Sequence, residues 1–156
     1  MQLQFFNSKK WNVIKRAELL GLITENAYTI AVAGTHGKTT TTSILAHILN
    51  FSNIYCTAFL GGISSNYNTN LILSELGDIV VVEADEYDRS FLKLFPDISI
   101  ITSLDADHLD IYKDVEDMEN TFKMFASNTK QNGLLLVNKS IDVNFEAPLD
   151  LSLIHI

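Results

Sequence analysis

Six consecutive residues, Gly34, Thr35, His36, Gly37, Lys38 and Thr39, have the types needed to grip a phosphate group. Glycines let backbone N–H groups approach phosphate oxygens, and a helix starting at Lys38 adds the partial positive charge of its N-terminus. Lys38 supplies a full charge and Thr39 a hydroxyl for Mg²⁺, with Thr40 completing the candidate nucleotide-binding set. The spacing is irregular, because Val32 stands five positions before Gly37, where the usual phosphate loop has glycine. A plain strand-to-helix turn with a surface lysine is the alternative. Gly-Lys-Thr between an apolar run and a helical stretch favours phosphate binding. His36 either shapes this loop or touches the ligand.

Two further strand ends carry polar groups. Glu83, Ala84, Asp85 and Glu86 follow the apolar run Ile79–Val82, at the edge where open α/β sheets bind ligands. A hard cation takes oxygen donors and commonly one or two protein carboxylates, which makes Glu83, first after the run, the candidate Mg²⁺ ligand. Asp85 and Glu86 are equally readable as a solvated acidic turn. Downstream of Ile98–Thr102 lie Ser103, Asp105, Asp107 and His108. Asp107 and His108 could complete a metal site or move protons, although a loop histidine taken alone is more often a surface or capping residue.

These clusters need a scaffold that brings strand ends together. Short apolar runs at Tyr28–Ala33, Ile54–Phe59, Ile79–Val82, Ile98–Thr102 and Leu134–Val137 alternate with helix candidates at Lys38–Asn50, Arg89–Phe95 and Val115–Asn128. That alternation predicts an α/β fold with a mostly parallel sheet flanked by helices. Trp11–Ile23 has the spacing of a lead-in helix, and Gly61–Asn70 reads as a loop.

With 156 residues, 47% of them hydrophobic, the chain has the size and apolar content of one domain. Its net charge of -8 disfavours nucleic acid or an anionic membrane surface as partner. No apolar stretch approaches the roughly 20 residues of a membrane span, and residues 1–10 lack a secretory core, so a cytoplasmic location is expected. The single cysteine, Cys56, lies in an apolar run and is expected to be a buried structural thiol. Both ends suggest truncation. Leu151–Ile156 (LSLIHI) is also what one reading frame of a transposon-end sequencing adapter encodes. It is set aside as a read-through scar, with an apolar terminal strand as the alternative.

Three motifs in order, AGTHGKTTTT at Ala33–Thr42, VVEADEYDRSF at Val81–Phe91 and DADHLDIY at Asp105–Tyr112, resemble the central domain of the Mur ligases. KRAELLGLIT at Lys15–Thr24 and FLGGISSNYNTN at Phe59–Asn70 add to the likeness, which runs from Lys15 to Val137. The resemblance implies a P-loop NTPase-like domain that uses ATP as cosubstrate with Mg²⁺. Lys38 would be the phosphate-binding lysine, Thr39 and Glu83 the first metal's ligands and His108 a ligand of the second, with Lys38, Glu83 and His108 catalytic. It further implies ligation of an amino acid, L-alanine in the member most alike, to UDP-N-acetylmuramate through an acyl phosphate. Ser103 departs from the asparagine common in the family, and Lys123 is either a carbamoylated lysine or plain helix surface.

On this reading residues 1–24 are a lead-in from an absent N-terminal UDP-binding domain, and residues 25–150 are a partial ATP-binding domain. The C-terminal domain is absent, and the fragment alone is expected to be inactive. A murein-recycling tripeptide ligase or a folylpolyglutamate synthetase-like ligase is the nearest alternative. A P-loop ATPase or binding module is the more distant one.

Overall fold

The computed structural model describes residues 11–105, 111–145 and 150–154. The first described element is helix α1 (Arg16–Asn26), where the Lys15 backbone N–H donates to the Glu18 carboxylate at 3.0 Å. Strand β1 (Tyr28–Ala33) then runs into the glycine loop and helix α2 (Lys38–Phe51). Strands β2 (Cys56–Ser64), β3 (Thr69–Ile72) and β4 (Ile79–Glu83) follow. A short 3₁₀ segment, Tyr87–Lys93, leads to β5 (Ile98–Ile101), helix α3 (Val115–Ser127), β6 (Leu134–Asn138) and β7 (Asp150–Ile154).

The strands form one seven-stranded sheet in the order β3-β2-β4-β1-β5-β6-β7. Every neighbouring pair is parallel except β2 with β3. The expected α/β architecture is therefore present, and β1 lies between β4 and β5, with Val32 paired to Glu83 and Ala33 to Ile101. Those pairings put the carboxyl ends of three strands side by side.

Both faces of the sheet are covered, which explains why its central strands read as continuous apolar runs. On one face Ala31, Ala33 and Val82 pack with Leu20 of α1, Phe91 of the 3₁₀ segment and Met118, Phe122 and Phe125 of α3. On the other, Ala46, Leu45 and Leu49 of α2 meet Cys56, Ala58, Leu60, Val81, Ile30 and Val32. Cys56 is fully buried, as expected of a structural thiol, and burial raises its pKa.

Two expectations change. The loop expected over Gly61–Asn70 is largely strand: β2 continues to Ser64 and returns antiparallel as β3, with a register irregularity between Phe59 and Ser64. Paired glycines and polar residues hid a hairpin whose outer strand has no buried residue. The helix expected at Arg89–Phe95 is instead the 3₁₀ segment, interrupted where Asp88 and Arg89 adopt left-handed φ of 53°. Asp150–Ile154, which overlaps the segment set aside as a scar, pairs with β6 as the edge strand. Alternating apolar residues are sufficient for such an edge.

Candidate functional site

The loop after β1 is shaped by two left-handed glycines. Gly34 has φ of 137°, and a Cβ there would strike the Thr102 hydroxyl and the Ser103 backbone. Gly37 has φ of 79° and caps α2, so Lys38 and Thr39 open the first turn. A side chain at either glycine would be strained.

The segment after β5 braces this loop. The Thr35 N–H donates to the Ser103 carbonyl at 3.1 Å, and the His36 N–H donates to Ser103 Oγ at 2.7 Å. Ser103 Oγ also lies 2.9 Å from Thr35 Oγ1, while the Asp105 N–H donates to that threonine oxygen at 2.9 Å. Thr102 Oγ1 donates to the carbonyls of Ala33 and His36. Asn138, at the end of β6, holds the Thr102 carbonyl at 2.9 Å. Thr35 is thus buried and braces the loop through its side chain, whereas the His36 ring is exposed and 3.9 Å from the Asp105 carboxylate. Thr40 is exposed in the first turn of α2. Ser103, noted for its departure from asparagine, is a working part of the brace.

The structure brings Thr39 and Glu83 together. The Thr39 hydroxyl donates to Glu83 Oε1 at 2.9 Å, and the Gly61 N–H donates to Glu83 Oε2 at 2.7 Å. Glu83 is the last residue of β4 rather than the first beyond it. Gly61 is a part of the site that sequence reasoning missed: any Cβ there would land on the Glu83 carboxylate. Its signal was the glycine pair in the apolar stretch Phe59–Ile63.

Lys38 shows the largest difference from expectation. Its ammonium donates to the Gly34 carbonyl at 2.6 Å and to Glu86 Oε1 at 2.9 Å, with Glu86 Oε2 at 2.8 Å. Glu86 is only 4% exposed, so the reading as a solvated acidic turn does not hold for it. Asp85 is exposed, and its side chain accepts from the Tyr87 N–H at 3.0 Å. Beside Glu86, Tyr112 is buried with no hydrogen-bond partner for its hydroxyl among the described residues. Burial first, then the Glu86 charge, raise its phenol above the usual range.

Hard oxygen donors from Thr39 and Glu83 suit Mg²⁺, which commonly keeps water and phosphate oxygens in its remaining positions. Among the described residues no group of three His, Cys, Asp or Glu side chains could hold a metal. Asp107 and His108 lie outside the described residues. Lys123 is half-buried on α3, beside an open hollow also lined by Asn120, Met124, Ser127 and Asn144.

A phosphate loop, an oxygen pair suited to Mg²⁺ and a parallel sheet thus meet at one edge, and residues 32–147 match the family model of the Mur ligase middle domain. The chain belongs to the Mur ligase family. A UDP-N-acetylmuramate--L-alanine ligase of Christiangramia forsetii is 54% identical over 144 residues, 92% of this chain and 31% of the relative. Its namesake in Cytophaga hutchinsonii is 46% identical over 155 residues, 97% of this chain and 33% of the relative. The chain therefore spans about a third of these curated relatives. The crystal structure of a Thermotoga maritima UDP-N-acetylmuramate-alanine ligase superposes with a TM-score of 0.71 at 29% identity, over 88% of this chain and 32% of that one. A UDP-N-acetylmuramate:L-alanyl-gamma-D-glutamyl-meso-diaminopimelate ligase from Neisseria meningitides shares the fold, with a TM-score of 0.79 at 23% identity over 96% of this chain and 53% of that one. Among the described residues, no Mur-domain helix is long and apolar enough to cross a membrane.

Proposed function

We propose that this Mur ligase domain serves an ATP-dependent enzyme that joins L-alanine to UDP-N-acetylmuramate through an acyl phosphate, in the making of bacterial cell-wall precursor. The observation that carries the reading is the convergence of Lys38 with the Thr39–Glu83 pair on one sheet edge. Identities of 46–54% to ligases of that name support this choice of substrates. The location that goes with this role is the bacterial cytoplasm.

In this reading the glycine loop binds the ATP phosphates through backbone N–H groups and the amino end of α2. Lys38 places its charge against the transferring phosphoryl group, where charge must be stabilised in the transition state. Thr39 and Glu83 would hold Mg²⁺, which when bound neutralises phosphate charge. His108 is proposed as a ligand of a second metal. A cleft of about 260 Å³, lined in part by Lys15, Arg16, Glu83, Tyr87 and Ser90, opens beside Glu83 and leaves room for the acceptor carboxylate. Phosphorylation converts that poor electrophile into one with a good leaving group. The alanine amine then attacks the carbonyl carbon and inorganic phosphate leaves.

The test is ADP release by the full-length protein with UDP-N-acetylmuramate and either L-alanine or the tripeptide L-alanyl-γ-D-glutamyl-meso-diaminopimelate. Turnover requiring L-alanine and UDP-N-acetylmuramate is expected. Preference for the tripeptide would transfer the assignment to the recycling ligase. Turnover indifferent to both substrates would identify a simple ATPase.

A further inference from the structure

Lys38, the proposed phosphate-binding lysine, is held from two sides. Its side chain is only 14% exposed, and the ammonium sits between the Gly34 carbonyl on its own loop and the carboxylate of Glu86 on a different element. Glu86 has a side chain 5% exposed and belongs to the turn between β4 and the 3₁₀ segment. That turn is pinned on both sides. The Ala84 N–H donates to the Val32 carbonyl at 2.9 Å, and the Phe91 N–H donates to the Asp85 carbonyl at 3.1 Å. Phe91 itself is buried against Phe125 and Phe122, at ring separations of 5.0 and 5.2 Å.

A carboxylate so held acts as a fixed anchor rather than a mobile surface charge. Burying either ion alone is strongly unfavourable, so each requires the other. The ammonium has three protons. Gly34 and Glu86 draw it toward the protein side of the loop, and a phosphate oxygen entering from the solvent side can take a remaining proton without the lysine being reordered.

We infer that Glu86 is a positioning residue for ATP capture, a buried counter-ion that holds the Lys38 ammonium in place before nucleotide arrives. The inference rests on the phosphate-loop reading above. It assigns work to the last acidic residue of the Glu-Ala-Asp-Glu run, separate from the Mg²⁺ role of Glu83. Binding energy that an unanchored lysine would spend on becoming ordered remains available for phosphate.

The test is calorimetric titration of the full-length protein with a non-hydrolysable Mg-ATP analogue, together with thermal melting. Lys38→Met should weaken binding; unchanged binding there would sink the phosphate-loop reading itself. Glu86→Gln, which keeps shape and removes charge, is expected to weaken binding about tenfold, and to change it less than about twofold in the Lys38→Met background, because the two residues act as one unit. Glu86→Asp should recover most of the affinity. Lys38→Met is expected to lower Tm by isolating a buried charge, and adding Glu86→Gln should restore part of that loss. Equal losses from Glu86→Gln in both backgrounds, or tighter binding by Glu86→Gln, would overturn the inference.

Discussion

At the scale of single residues, the site depends on small groups as much as on charged ones. On the proposed function, Lys38→Ala and Glu83→Ala in the full-length protein are expected to lower acyl-phosphate formation by about 100- to 1,000-fold, since the first removes a positive charge facing the transferring phosphoryl group and the second a ligand for the Mg²⁺ that would neutralise it. Hydroxamate trapping of the acyl phosphate measures this. Lys38→Ala also leaves Glu86 buried without its ion-pair partner, so its loss of activity must be read beside its melting curve. Gly61→Ala is a cleaner probe. Its methyl group would displace the Glu83 carboxylate without touching any ionisable residue's identity, and a misplacement near 1 Å lowers turnover by about 100-fold. ADP release at saturating substrates checks it, with circular dichroism expected to match wild type.

At the scale of elements, the three parts of the site arrive on three separate strand-to-loop junctions and are held by different means. The glycine loop is braced by the β5 segment through Thr102, Ser103 and Asp105. The Glu86 turn is held by aromatic packing, in which Phe91 stacks on Phe125 with ring planes 9° apart. Phe91→Ala should therefore destabilise the protein by about 3–5 kcal/mol, the usual range for emptying a fully buried aromatic site. Urea denaturation reads that number. The two left-handed residues before it, Asp88 and Arg89, show why the helix expected over this stretch does not form: Phe91 and Leu94 are buried, but the backbone makes a tight 3₁₀ turn to bury them.

At the scale of the whole molecule, acidic residues dominate the charge, and acid is the direction in which stability can be tested. Asp117 accepts from the Lys113 N–H at 3.2 Å and from Arg89 at 2.6 Å, and these, the backbone bond foremost, lower its pKa. A carboxyl group whose pKa is lower folded than unfolded contributes stability above its unfolded value and loses it as pH falls through the folded one. The contribution is thus present at neutral pH and disappears below the ordinary aspartate range. Asp117→Asn is expected to show a shallower loss of Tm between pH 5 and pH 2, to be followed by thermal melts across that window. This pair also ties the 3₁₀ segment to α3 on the face opposite α2.

The sequence by itself determined the layered α/β class, the phosphate loop and the Thr39–Glu83 candidate pair. Apolar runs with buried-strand character, and glycine and lysine at a strand-to-helix junction, are local signals. Only the tertiary structure decided that β4 and β5 flank β1, because strand order depends on crossovers rather than on any run's composition. It likewise decided that Glu86 is a buried partner of Lys38, 48 residues away, and that Gly61 lies under Glu83, 22 residues away. An acidic turn and a glycine pair look alike in sequence whether solvated or packed. Which they are is set by the chain segment folded against them.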